Sequence, residues 1–246
     1  MKKLVTAFLA IMAAVAATGC TGDDPPPSLT VFAAASLTET FTELGERFEA
    51  EHGVAVEFNF AGSSALAQQI TNGAPVDVFA SASPVDMGRV AQFTVNAPVV
   101  FAVNRLTIAV PPGNPGGVTG LVDFADPDLT LAVCAEEVPC GRAAAELFGV
   151  TGVTAEPDTL EQNVKAVLTK VVLGEVDAGL VYRTDVVAAG DDVEEIEIAE
   201  ADRVVNDYPI AALASATNRD AAEEFVDFVV SHVGGSVFTD AGFDAP

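Results

Sequence analysis

The spacing of apolar positions along this chain switches repeatedly between that of a buried strand and that of an amphipathic helix. Leu29-Thr-Val-Phe-Ala-Ala34 is a nearly continuous apolar run bounded by loop residues, as expected of a strand covered on both faces. From Ser36 the period lengthens, and Leu37, Phe41, Leu44 and Phe48 fall on one helical face. Ser36-Leu-Thr-Glu39 in front of them is a capping-box pattern. His52-Gly53 stops the helix, glycine supplying the left-handed conformation of a helix C-terminus. Val54 to Phe60 alternates like a second strand. Ala61-Gly-Ser-Ser64 then leads into a short helix with Leu66 and Ile70, closed by Gly73, and Asp77-Val-Phe-Ala-Ser81 is a third strand.

A second series of units follows. Leu106 to Val110 and Leu129 to Cys134 are strand candidates, and Gly141 to Phe148 is a short helix stopped at Gly149. Asn163 to Leu173 predicts another helix, with Val164, Val167, Leu168, Val171 and Val172 apolar and Gly174 as its stop. Ala178-Gly-Leu-Val-Tyr182 returns as a buried strand, and Asp220 to Val233 is an amphipathic helix with Phe225, Phe228 and Val229 inward. The acidic stretch Asp191 to Glu200 reads as a solvated loop and sheet edge rather than a metal site. No repeat at a fixed period is present. Strands alternating with helices imply the α/β class with mainly parallel sheets. In such sheets ligands bind beyond the carboxyl ends of strands, at helix N-termini.

The N-terminus adds a destination. Met1-Lys2-Lys3 is basic, and Leu4 to Ala17 is apolar but too short to span a bilayer comfortably. Ala17-Thr-Gly-Cys20 offers small residues for cleavage, and a polar, proline-rich stretch from Thr21 to Pro27 follows, so residues 1–19 read as an export signal. Ending on Gly-Cys, the segment resembles a bacterial lipobox, which implies lipid on the Cys20 thiol and an anchor on the outer face of the cell membrane. Ala17 stands where that motif usually carries Leu, and an ordinary signal peptide with an incidental cysteine is the alternative. Residues 20–28 then form the lipidated cysteine and a flexible tether.

Charge narrows the partners. Without Lys2 and Lys3 the chain keeps 9 basic against 36 acidic residues, a net charge of −27. This argues against nucleic acid and against adsorption to an anionic membrane surface. An anionic ligand stays open, because local dipoles outweigh a screened global field. With Cys20 assigned to lipid, Cys134 and Cys140 remain, five residues between them. Outside the cytoplasm such a pair can be oxidised, and a disulfide over so short a loop stabilises by about 2 kcal/mol in the chain-entropy model. Metal binding is the competing reading, but the two thiols lack partners, since His52 and His232 are the only histidines.

Two serine-bearing turns carry the candidate chemistry. Ala33-Ala-Ala-Ser36 joins strand one to helix one, and Ala61-Gly-Ser-Ser64 joins strand two to helix two. Each puts a hydroxyl and free backbone N–H groups at a helix start, where the dipole offers roughly half a positive charge. Taken singly, such serines are ordinary caps.

The arrangement as a whole says more. Val31-Phe-Ala-Ala-Ala-Ser-Leu-Thr38, Phe60-Ala-Gly-Ser-Ser-Ala-Leu-Ala67 and Gly73-Ala-Pro-Val-Asp-Val-Phe-Ala-Ser81 occur in order. Val138-Pro-Cys-Gly141, Asn163-Val-Lys-Ala-Val167, Gly179-Leu-Val-Tyr182 and Asp207-Tyr-Pro-Ile210 follow them. Together these segments resemble the periplasmic molybdate-binding proteins of ABC importers, over essentially the whole mature chain. The resemblance implies a two-lobed periplasmic-binding-protein fold with the ligand in the inter-lobe cleft. Lobe one would take residues 29–102 plus 209–246 and lobe two residues 103–208, with Asn104 and Tyr208-Pro209 marking the crossovers. It implies oxyanion contacts from the hydroxyls of Ser36, Ser63 and Tyr182 and from the backbone N–H groups of Cys140 and Val164. Cys140 departs from the small Ala common in that family, and Gly62 replaces a frequent Ser.

Molybdate near neutral pH is a fully deprotonated dianion, so its site should contain donors alone. Phosphate usually keeps a proton and would want an acceptor, and none of the five inferred positions is acidic. Tungstate should bind like molybdate, and sulfate is the alternative oxyanion. The expected partners are the oxyanion, the membrane permease of an ABC importer and the membrane through lipid; no cofactor, no protein ligand to molybdenum itself and no catalysis are implied. Two rival classes are weaker. A serine hydrolase needs a base that neither histidine's surroundings suggest, and a thiol redox protein favours a closer cysteine pair.

Overall fold

A computed structural model describes residues 27–246. The export signal and Cys20 lie outside the described residues. The expected tether overlaps the fold at its end, since Ser28 already belongs to the first strand and the Pro27 carbonyl accepts the Ala55 N–H at 3.0 Å.

Among the described residues nine strands form one sheet: β1 (Ser28–Ala34), β2 (Ala55–Ala61), β3 (Val78–Ala80), β4 (Val99–Val110), β5 (Leu131–Cys134), β6 (Thr159–Glu161), β7 (Ala178–Tyr182), β8 (Glu194–Ile196) and β9 (Val205–Ala212). Their order is β2-β1-β3-β9-β4-β7-β5-β6, with β8 beside β4. The flanks are parallel, β1 with β2 and β3, and β5 with β6 and β7. The centre is antiparallel, because β4 and β9 run side by side from one flank to the other. The helices are α1 (Thr38–His52), α2 (Ser63–Thr71), α3 (Pro84–Val90), α4 (Pro139–Thr151), α5 (Val164–Val172), α6 (Arg183–Ala189), α7 (Arg219–Val230) and α8 (His232–Asp240). None of the helices among the described residues is long and apolar enough to cross a membrane.

Burial divides the molecule into two halves. Phe41, Leu44 and Phe48 of α1 pack with Tyr208, Phe225 and Phe238 in one core, and Phe32, Leu66 and Phe79 form a smaller cluster of the same half. The other half is built on a core running from Leu106 to Val204, including Phe124, Leu147, Val167 and Tyr182.

The differences from the sequence pattern have local causes. Helix α4 does not stop at Gly149 but runs to Thr151, where Gly152 takes the left-handed conformation at φ 73°. Val150 packs against the second core, and that burial outweighs the weak helix propensity of Gly149. The expected crossovers at Asn104 and Tyr208-Pro209 fall within β4 and β9, the strands that join the halves, with Asn104 opposite Asn206 and Val100 opposite Pro209. The Ser36 capping box does not form. Helix α1 begins at Thr38 after a single 3₁₀ turn, and no side chain caps it.

Candidate functional site

The carboxyl ends of strands from both flanks meet at one small cavity. Its walls are the turn after β1 (Ala34, Ala35, Ser36), the turn after β2 (Ala61, Gly62, Ser63) and Ala82 beyond β3. The second half contributes Val138, Pro139 and Cys140 at the start of α4, Asn163 and Val164 at the start of α5, and Tyr182 at the end of β7. All five residues singled out in the sequence, Ser36, Ser63, Cys140, Val164 and Tyr182, line this single cavity. Its volume is about 20 Å³, against the roughly 10–15 Å³ that one buried water needs. A small inorganic ion matches that space.

Several of the lining residues carry hydrogen-bond donors. The Ser63 hydroxyl accepts a hydrogen bond from the Ala82 N–H at 3.0 Å, leaving its own proton to give away. Ser63 is the first residue of α2, with Gly62 in the cap position, so its side chain is not used as a cap. The Ser36 hydroxyl lies 2.9 Å from the Tyr208 hydroxyl, with either able to donate. The Tyr182 hydroxyl is buried and has no hydrogen-bond partner among the described residues. Cys140 and Val164 occupy first turns, whose N–H groups have no carbonyl one turn back to bond. The Asn163 side chain caps α5 by accepting from the Ala166 N–H at 3.0 Å, so the cap is satisfied without the Val164 amide. Among the described residues no carboxylate lines the cavity. Burial, with the neighbouring Tyr208 and the Asp185 charge, holds the Tyr182 phenol well above its ordinary pKa. Burial likewise raises Tyr208, although its hydrogen bond with Ser36 pulls the other way. Both phenols are therefore neutral O–H donors.

Charged side chains beyond the lining are paired, and two of the pairs join the halves. Arg142 of α4 reaches the buried Asp86 of α3 in the other half. Lys165 of α5 meets both carboxylate oxygens of Glu39 of α1 at 2.8 and 2.9 Å, and Asp185 of its own half at 3.1 Å. Burial alone would lower the Lys165 pKa, but Asp185 and Glu39 hold it raised. Asp185 also accepts the Tyr182 N–H at 3.0 Å, which fixes the backbone that carries the Tyr182 ring. Its own pKa is pushed up to about 6 by burial, against the opposing pull of Lys165.

That shift gives a signed prediction. The folded chain holds the Asp185 proton more tightly than the unfolded chain does. The carboxyl thus favours the fold below about pH 4 and loses that contribution as pH rises through about 6. Thermal unfolding of wild type and Asp185→Asn from pH 4 to 7 checks this. The wild-type melting temperature should fall relative to the variant across that interval, and a constant difference would refute it.

Sequence inspection missed some of the supporting residues. Tyr208 stood in a quoted motif, but nothing in its spacing placed it against Ser36, which is 172 residues away. The pairs Arg142–Asp86 and Lys165–Glu39 join residues 56 and 126 positions apart and leave no local signal.

Comparison with known proteins places this architecture. Residues 29–244 match the family model of the bacterial extracellular solute-binding proteins. The chain is 41% identical over 222 residues to a protein of Mycobacterium tuberculosis (strain ATCC 25618 / H37Rv) named molybdate-binding protein ModA, covering 89% of this chain and 85% of that one. Among solved structures, the periplasmic molybdate-binding protein of Azotobacter vinelandii aligns with a TM-score of 0.72 at 21% identity, covering 89% of this chain and 99% of that one. The sulfate-binding protein SubI of Mycobacterium tuberculosis H37Rv aligns with a TM-score of 0.77 at 18% identity, covering 89% and 87%. At those identities the two structures speak for the fold alone. The family match and the 41% identity together settle membership: this chain belongs to the bacterial extracellular solute-binding proteins.

Proposed function

We propose that this chain captures molybdate, and by the same chemistry tungstate, outside the cytoplasm and delivers it to the membrane permease of an ABC importer without catalysing a reaction. The observation that carries the proposal is the cavity itself. Ser36, Ser63 and Tyr182, which carry hydroxyls, and Cys140 and Val164, at two helix starts, line one space of about 20 Å³ with no carboxylate among them. A proton-free dianion can only accept hydrogen bonds, so such a lining suits it and disfavours a ligand that keeps a proton. Two helix N-termini of the second half add their dipoles. The name of the 41% identical relative supports molybdate over other anions of this kind.

In this proposal the lobes are residues 29–102 with 209–246, and residues 103–208, and the ligand bridges them. Cys20 carries lipid that holds the protein at the outer face of the cell membrane. The anion favours the closed arrangement because only closure brings both sets of donors to it.

Calorimetric titration of ligand-stripped protein with molybdate, tungstate, sulfate and phosphate tests the proposal. Tight one-to-one binding of molybdate and tungstate, with sulfate and phosphate silent, is the expected result. Binding of sulfate with equal strength would keep the oxyanion site and remove the molybdate assignment. Silence with all four, from folded protein, would overturn the reading.

A further inference from the structure

Gly62 sits in the cap position of α2, between Ala61 and the inferred ligand Ser63. Its backbone, at φ −60° and ψ 132°, is ordinary extended conformation that any residue adopts. Nothing in its own dihedrals calls for glycine. Space does. A Cβ built there would lie 2.4 Å from the Gln162 carbonyl oxygen, 3.3 Å from Val138 Cγ1 and 3.6 Å from the Gln162 carbonyl carbon. These three nearest atoms all belong to the second half. Val138 immediately precedes Pro139-Cys140, and Gln162 immediately precedes Asn163-Val164, the segments bearing the inferred amide donors of that half.

We infer that Gly62 is the stop against which the second half closes, and that its missing side chain fixes the size of the anion cavity. This rests on the anion-binding reading above. A Cβ at this position would hold the Gln162 and Val138 segments back by about 1 Å, the difference between 2.4 Å and an ordinary carbon–oxygen contact. Ser36 and Ser63, on the first half, would keep their places. The amides of Cys140 and Val164 would then stand about 1 Å too far from an anion seated on the serines. A hydrogen bond lengthened from about 2.9 to 3.9 Å is no longer one. Position 62 thereby sets both how far the cleft shuts and how large an anion satisfies both walls at once. It does this without touching the ligand through a side chain.

The test is Gly62→Ala, with Gly88→Ala in α3 as control, where an added Cβ meets nothing within 4 Å. Each full-length protein is melted without ligand, titrated with molybdate, and measured by small-angle scattering with and without molybdate. Gly62→Ala should melt at the wild-type temperature without ligand. It should bind molybdate about 100-fold more weakly, the loss of two charge-assisted hydrogen bonds, and compact less on binding. Gly88→Ala should bind and compact as wild type does. Wild-type affinity and compaction in folded Gly62→Ala would overturn the inference. So would a ligand-free melting temperature lowered by more than a few degrees, which would mean the glycine serves the first half's own packing. If wild type itself ignores molybdate, tungstate, sulfate and phosphate, the anion-binding reading falls, and this inference with it.

Discussion

Ser63→Ala should weaken molybdate binding by about 100-fold, more than removal of any other single hydroxyl at the site. Two losses combine. The first is the donor to a dianion, and a hydrogen bond to a charged group contributes about 1.5–3 kcal/mol. The second is the acceptor for the Ala82 N–H, which Ser63 now satisfies at 3.0 Å in a fully buried setting. Without it that N–H is buried unpaired, a penalty of about 1–3 kcal/mol, and the turn after β3 loosens beside the ligand. Tyr182→Phe is the informative comparison. Its hydroxyl bonds nothing among the described residues, so its removal orphans no partner there. That variant should lose roughly 10-fold or more in affinity while the ligand-free protein stays at least as stable as wild type. Titration and ligand-free melts of the two variants separate these effects. Ser63→Ala within threefold of wild type would show that Ser63 does not hold the anion.

The second large effect concerns the disulfide. Cys134 at the end of β5 and Cys140 in the first turn of α4 are bonded, with Cα atoms 5.7 Å apart. Closing so short a loop stabilises by about 2 kcal/mol in the chain-entropy model, so the double variant Cys134→Ala with Cys140→Ala should melt roughly 4–8 °C lower. Affinity should change far less. The turn is held by other means: the Ala135 N–H donates to the Glu161 carbonyl at 2.9 Å, and the Val138 N–H to the Ala135 carbonyl at 3.1 Å. Gly141 also presses on that turn so closely that a Cβ there would lie 1.8 Å from the Ala135 oxygen. With the Cys140 amide placed by backbone, molybdate affinity should stay within about threefold of wild type. A loss of 30-fold or more would mean instead that the bond aims the amide at the ligand.

What the sequence made legible follows from range. Helix α1 was readable because Phe41, Leu44 and Phe48 repeat at helical spacing and all end fully buried on one face. Its stop was readable because Gly53 does take the left-handed conformation, at φ 69°. The cavity's five inferred residues were reached through the resemblance of seven ordered segments, since no periodicity signals that Ser36 and Tyr182 share a wall. Strand β9 went unseen because Pro209 interrupts the pattern, yet the strand tolerates it at an irregularity in the β4 register. The cap pattern at Ser36 misled for a related reason. Tertiary packing turned that hydroxyl toward Tyr208 instead of the helix backbone.

The antiparallel pair β4 and β9 has a mechanical corollary. The chain leaves the first half along one of these strands and returns along its neighbour, so the second half is an insertion within the first. Phe238 and Phe243 pack in the first half's core, and Pro27 borders β1, so both described ends of the chain sit on the first half. A membrane attachment ahead of Pro27 would therefore hold the half bearing Ser36 and Ser63 like a moored hull. The half bearing Cys140, Val164 and Tyr182 would swing from it as a lid with no leash of its own, crossing to the mooring through two strands.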